Sequence, residues 1–291
     1  LYFNGRASGA RFYLTFLVGS ARSDGRRAAG VRLQLDRGAG METFSASEPV
    51  TDAAAMRAPD LAIGASSVRL DGMRYVIHLD LRDARGRRAR ADLSLEAAPG
   101  RLLPPLEIAG VRGWRTGYVV PVMSGKLDGQ IAVDGRRVPL DGGTGYHDHN
   151  WGFWKGVSWQ WGQVQQNDLS VLYGRVFPPP GAADPERLPG FVGVLGPDGP
   201  IGYTTDVTIA ETNDARGNPQ AIAVRARGAQ VDLSLIFSVE SAEVTRGGSG
   251  GPAASGLDFY QLRGTYNVDG RAGSTVLAFA APGSAETFRG R

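Results

Sequence analysis

Arg74-Tyr75-Val76-Ile77-His78-Leu79-Asp80-Leu81 alternates residue by residue. Tyr75, Ile77, Leu79 and Leu81 fall on one face of an extended chain; Arg74, His78 and Asp80 fall on the other. That two-residue period belongs to a half-buried β-strand. Working outward, Arg11 to Val18 is a dense β-branched and aromatic run. Ala91 to Leu95, Lys126 to Val133, Ser158 to Gln165, Leu169 to Phe177, Gly202 to Ala210, Ala221 to Arg227 and Val231 to Val239 also read as strands. Asp71-Gly72, Asp134-Gly135 and Asp269-Gly270 read as hairpin turns, because Asp and Gly tolerate positive φ. The 42 glycines and 17 prolines punctuate the chain. Thr51 to Ala58 is the best short helical candidate, and no short internal repeat is visible. Many short antiparallel strands imply an all-β protein of closed barrels or sandwiches, since closure removes exposed edges. The strands fall into two sets, which predicts two domains, residues 1–140 and 141–291. Each is long enough for a small barrel of about 8–10 strands.

A chain of 291 residues buries a substantial core without disulfides. It has no Cys, which excludes thiolate catalysis, Cys-ligated zinc and disulfide stapling. The net charge is +3, and the basic residues are arginines apart from Lys126 and Lys155. Most arginines are scattered among Asp and Glu, so no nucleic-acid partner is expected. The short cluster Arg85 to Arg90 reads as a solvated hairpin tip, with peripheral contact to an anionic lipid surface as the functional alternative. No apolar run approaches the roughly 20 residues needed to cross a bilayer as a helix. The chain starts at Leu1-Tyr2-Phe3 without an initiator Met, so a preceding segment is expected, and a targeting sequence would fit there. With no Cys, an exported or membrane-peripheral setting is favoured, and the sequence names no compartment.

Gly145-Tyr146-His147-Asp148-His149-Asn150-Trp151-Gly152 concentrates scarce residue types. It holds two of the three histidines, and four of the five tryptophans lie between Trp151 and Trp161. On an extended segment Tyr146, Asp148 and Asn150 point one way, and His147, His149 and Trp151 the other. Histidine titrates near neutrality, and a desolvated Asp148 would serve as an acid. His147, Asp148, His149 and Tyr146 are therefore the candidate catalytic residues. Trp151, Trp154, Trp159, Trp161, Asn150 and Tyr173 are the candidate ligand-binding residues, because aromatic faces build apolar walls and attract a carbocation. A polar point among aromatic walls suits a large apolar ligand. Three other readings compete. The motif could be a structural polar clasp. His147 and His149 could face one metal ion, but only His78 remains as a further imidazole, and the third ligand would otherwise have to be a carboxylate. Gly247-Gly248-Ser249-Gly250-Gly251 matches a nucleophile elbow formally, but Pro252 follows and no helix does, so Ser249 reads as a loop residue. No dinucleotide or phosphate-cradling loop is present, so no cofactor and no resident metal are expected.

The octapeptide Gly145 to Gly152 resembles the signature of the carotenoid 1,2-hydratase / AttH lipocalin-like family. Leu1-Tyr2-Phe3-Asn4-Gly5 with Arg11 to Phe16 is similar to that family's opening strand and its partner. Gly174-Arg175-Val176-Phe177-Pro178-Pro179 followed by Leu188-Pro189-Gly190-Phe191 also fits. The resemblance reaches to about residue 210 and fades beyond it. It implies two lipocalin-like antiparallel β-barrels in tandem. It also implies a hydrophobic small-molecule ligand and a choice of activities: acid hydration of isoprenoid double bonds, or Diels–Alder cyclisation of polyenes as in some fungal relatives. One departure concerns hydration. The hydratases carry an acidic residue just after the tyrosine matched by Tyr173, where this chain has Gly174 and Arg175. The function expected is binding of an isoprenoid or polyene with acid-promoted hydration or cyclisation/isomerisation. A non-catalytic lipid carrier and a structural two-barrel protein are the alternatives.

Overall fold

The computed structural model describes residues 1–7, 9–153, 156–246 and 257–290, with residues 289 and 290 described by backbone alone. Trp154 of the candidate wall and the Gly247 to Gly251 stretch with Ser249 lie outside the described residues. The protein is all-β. Its elements are β1 (Tyr2–Ala7), β2 (Ala10–Ala21), β3 (Arg26–Asp36), β4 (Met41–Ser47), β5 (Val50–Thr51), α1 (Asp52–Ala55), β6 (Leu61–Ile63), β7 (Ser66–Asp71), β8 (Arg74–Arg82), β9 (Arg88–Ala97), β10 (Leu103–Ala109), β11 (Arg115–Val133), β12 (Arg136–Pro139) and β13 (Gly143–Gly152). There follow β14 (Ser158–Gln166), β15 (Leu169–Phe177), β16 (Phe191–Gly196), β17 (Gly199–Thr204), β18 (Asp206–Asn213), β19 (Pro219–Arg227), β20 (Val231–Thr245), β21 (Leu257–Ala272) and β22 (Thr275–Gly290). Two compact units result. The first is 1–102 with 119–149, and the second is 103–118 with 150–291.

In the first unit β1, β2, β3, β4, β8, β9, β11 and β13 follow one another as hydrogen-bonded neighbours, and β13 returns to β1. The sheet therefore closes into an eight-stranded barrel of lipocalin-like type. Alternation fills its interior. Phe12, Leu14 and Phe16 from β2 meet Val31, Leu33 and Leu35 from β3 and Ile77, Leu79 and Leu81 from β8, all of them buried. The helical candidate shortens to one turn, α1, capped by the Thr51 hydroxyl, which accepts from the Ala54 amide at 3.2 Å.

The second unit is a curled nine-stranded antiparallel sheet, in the order β17-β16-β15-β14-β22-β21-β20-β19-β18. Its interior holds Val164, Tyr173, Val194, Val224, Leu235, Phe237 and Tyr266. The single strand expected over Gly202 to Ala210 breaks after Thr204 into β17 and β18. The Thr204 hydroxyl bonds the Arg227 carbonyl there, linking β17 to β19.

A short repeat, the tetrapeptide Asp-Leu-Ser-Leu, stands in the sequence after all, and the pairing gives it its meaning. Asp92-Leu93-Ser94-Leu95 in β9 faces Leu127 to Gln130 in β11, and Asp232-Leu233-Ser234-Leu235 in β20 faces Val268 to Arg271 in β21 with the same register. The last strand closes on the first in both units. Gly5 pairs with Gly145 and Gly162 with Ala285. The repeat corrects one turn. Asp134-Gly135 and Asp71-Gly72 do make hairpins, but Asp269-Gly270 lies inside β21. Gly270 at φ +132 sits against the neighbouring backbone, where a Cβ would lie 2.1 Å from the Asp232 carbonyl oxygen; Gly129 at φ +113 stands identically, 2.1 Å from that of Asp92. Glycine is needed at both for close approach rather than for a turn. Gly129→Ala and Gly270→Ala should each cost more than about 2 kcal/mol in denaturant unfolding. Gly72→Ala, also at positive φ but in open space, should cost about 1 kcal/mol. Equal costs at the three positions would contradict this assignment.

Candidate functional site

The seam between β1 and β13 decides where the octapeptide points. Phe3 is directly opposite His147, Tyr2 opposite Asp148 and Asn4 opposite Tyr146. Phe3 belongs to the barrel core, so His147 turns inward with it. The imidazole is fully buried, stacked on Phe3 at 4.1 Å and 7°, with the Tyr75 ring edge-on at 4.4 Å. Its Nδ1 donates to the Tyr2 carbonyl at 2.9 Å, because a carbonyl can only accept. The neutral ring therefore carries its proton on Nδ1, and Nε2 is a buried lone pair with no partner among the described residues. Burial holds the His147 pKa well below the usual 6.5 and pushes His149, on the same face, down to about 4. Neither ring stores a proton near neutrality.

Tyr146 and Asp148 occupy the opposite face of β13. Tyr146 is fully buried and Asp148 is 4% exposed. The phenol donates to Asp148 Oδ2 at 3.1 Å, and the Tyr2 ring stands edge-on to that of Tyr146 at 6.2 Å. Two proton-handling groups are thus in contact, outside the apolar core yet shielded from bulk water.

Within the second unit the aromatic candidates divide by the same rule. Trp159 and Trp161 share one face of β14. The Trp159 indole donates to Glu286 Oε2 at 2.9 Å and packs on Phe288 at 4.5 Å and Phe259 at 5.9 Å. Trp161 donates to the Tyr118 hydroxyl at 3.1 Å. Trp151 lies over Gly117, where any Cβ would fall inside its ring, and its carbonyl accepts from Thr116. Asn150 is half-buried beside it. Tyr173 lies opposite Gly162, on the other face, and enters the core. Tyr266 donates to the Ser284 carbonyl at 3.1 Å, and its hydroxyl lies 3.2 Å from that of Tyr173. Burial pushes both phenols up, far beyond the physiological range. Tyr173 is therefore a core residue rather than a neighbour of the Trp159/Trp161 wall. Arg175, two residues on, faces the same way as Tyr173 and stacks over Phe177 at 5.1 Å.

Glu286 carries no local signal in the sequence. It faces Trp161 in β22 as Tyr146 faces Asn4 in β13, and only the pairing of the last strand with the first reveals it. The third histidine stands apart. His78 Nδ1 is 2.7 Å from Asp92 on the outer face of β8 and β9, away from the inward-facing His147. Among the described residues no three of His, Asp and Glu gather as metal ligands.

No family model and no curated protein matches the chain. Solved structures do. An AttH-assigned protein from Nitrosomonas europaea superposes with a TM-score of 0.65 at 14% identity, over 99% of this chain and 91% of that one. CghA with Sch210972 gives 0.51 at 13% identity, over 99% and 86%, and a second structure of CghA gives 0.52 at 12%, over 98% and 86%. At such identity the likeness establishes the fold. The first neighbour bears the AttH name of the family that the octapeptide resembles.

The histidine environment predicts acid lability. Both folded-state pKa values are depressed, so unfolded chains bind more protons between about 6.5 and the folded values. The stabilisation is complete above that upper limit and is lost as pH falls below it. Unfolding midpoints should drop between about pH 7 and pH 5 by the equivalent of about 2 kcal/mol for each ring, and His149→Gln should flatten part of the slope. A midpoint independent of pH in that window would contradict the assignment.

Proposed function

We propose that the protein binds an extended apolar ligand, an isoprenoid or polyene, and promotes its hydration or its cyclisation/isomerisation by proton transfer from Asp148. The observation that carries this reading is the Tyr146–Asp148 pair. There two buried proton-handling groups of the octapeptide touch each other. His147 and His149 are neutral by burial, which leaves the donor role to the carboxyl. Tyr146 orients Asp148 through Oδ2 and can hand it a proton.

In hydration a protonated Asp148 would give its proton to one carbon of a double bond. Water would attack the carbocation, and a proton would return to the carboxylate, so that the ligand gains one water. In cyclisation or isomerisation the proton returns without water and the mass is unchanged. Within the second unit the Trp159 and Trp161 indole N–H groups are held by Glu286 and Tyr118, which fixes the rings. The fold shared with AttH and CghA supports a lipocalin-like scaffold for this chemistry.

The test uses lycopene, as an acyclic carotenoid, and a linear conjugated tetraene. Product is followed by loss of conjugated absorbance and by mass spectrometry. Wild type should form product, and Asp148→Asn should lower its formation by about 10²–10⁴-fold while still binding the polyene. Binding without product in either protein would establish a carrier, and equal turnover by both would remove Asp148 from the chemistry.

A further inference from the structure

We infer that one end of the second unit's interior is an anion-binding site, built around Arg175, for a carboxylate that carries an apolar chain. The site lies wholly within that unit and is independent of Asp148.

Strand parity puts Arg175 inside. It shares a face of β15 with Val171 and Tyr173, which belong to the core. Its partner in register is Gln160 of β14. From the other wall β18 presents Val207, Ile209 and Glu211, opposite the core residues Ala226, Val224 and Ile222 of β19. Bonds across the interior join the walls. Gln160 Nε2 donates to Glu211 Oε1 at 2.6 Å, and the Thr287 hydroxyl of β22 donates to the same oxygen at 2.7 Å. On the far side Gly190 brings the chain beside β15 against β18, where a Cβ added to it would stand 3.5 Å from that of Val207. Arg175, Gln160, Thr287, Glu211, Ile209 and Val207 therefore follow one another around a ring.

The floor beneath this ring is sealed and the ring is not. Tyr173, Tyr266, Ile222 and Val224 are fully buried. Gln160, Arg175, Val207, Ile209 and Glu211 are only half-buried although they face inward. Inward side chains that keep part of their surface in solvent, over a closed floor, line a mouth, and curled sheets of this kind take one small ligand there.

The two charges of the ring differ in what they already hold. Glu211 accepts from two donors. The Arg175 Nε is buried without a hydrogen-bond partner, and no ion pair among the described residues includes Arg175. Its guanidinium lies over the Phe177 ring at 5.1 Å, a contact that holds the plane and uses no N–H. A buried N–H left unbonded calls for an acceptor, and a planar guanidinium held by stacking is pre-organised for a carboxylate, which takes two N–H groups at once. The ring has one cation and a carboxylate of its own, so it suits a singly charged head rather than a phosphate. Phe177, Val207 and Ile209 supply apolar surface for the chain behind that head.

The probe is decanoate, with 1-decanol as its uncharged counterpart, each titrated into the full chain by calorimetry. Wild type should bind decanoate at least about tenfold more tightly than 1-decanol. Arg175→Gln should bind the two alike. Arg175→Lys keeps the charge but loses the planar pair of donors, and should keep only part of the preference. Ile209→Trp, which fills the mouth from the opposite wall, should weaken both ligands at least about tenfold. Denaturant unfolding checks that each variant is folded. Wild type that binds neither ligand, or binds both alike, overturns the inference, and so does a full decanoate preference in folded Arg175→Gln. Should Arg175→Gln not fold, the wild-type preference and its reduction in Arg175→Lys decide the matter. None of these outcomes depends on turnover, so a failure of Asp148 chemistry is read separately from a failure of this site.

Discussion

The antiparallel register of β1 against β13 is the constraint on which the rest depends. Side chains on a strand alternate, so one residue decides whether a group enters the barrel or faces away from it. With Phe3 opposite His147, the imidazole completes an apolar stack and its Nδ1 closes a bond to the Tyr2 carbonyl. With Tyr2 opposite Asp148, the carboxyl is left on the other face with Tyr146. A slip by one residue would put a carboxylate in the core and a histidine among the polar groups. Burying the unpaired charge would cost several kcal/mol. The same pairing thus closes the barrel and separates a structural histidine from a reactive carboxyl.

The second unit applies the same device with different residues. Its last strand closes on its first at Gly162 and Ala285, as β13 closes on β1 at Gly5 and Gly145. One step beyond that pair stands a buried polar group in each unit, Tyr146 in one and Glu286 in the other. The tetrapeptide Asp-Leu-Ser-Leu and its glycine partner recur in both. The recurrence makes each seam a fixed feature of the barrel rather than a local accident.

Much of this was legible. Alternation at Arg74 to Leu81 identified a strand and its buried face, and the parity of Tyr146 to Trp151 separated the two faces of the motif. What parity along one strand cannot say is which face is the core. That depends on Phe3, more than a hundred residues away, so His147 read as reactive when it is enclosed. Tyr173 follows Trp159 and Trp161 closely in the chain, but its register opposite Gly162 sends it inside. Asp269-Gly270 carried the residue types of a turn, yet its glycine answers a close backbone approach from Asp232, which has no local signal. Glu286 lay in the C-terminal stretch where the resemblance fades, and only strand closure brings it to Trp159 and Trp161.

The central claim is that His147 is a neutral seam residue and that proton chemistry belongs to the face behind it. Nitrogen-15 NMR of histidine-labelled protein tests it directly, since there are only three imidazoles to assign. The account predicts that His147 keeps the neutral Nδ1-protonated pattern from about pH 7 down to about pH 5, while the other two rings serve as internal references. A His147 ring that titrates near its ordinary value, or one that carries its proton on Nε2, would contradict it.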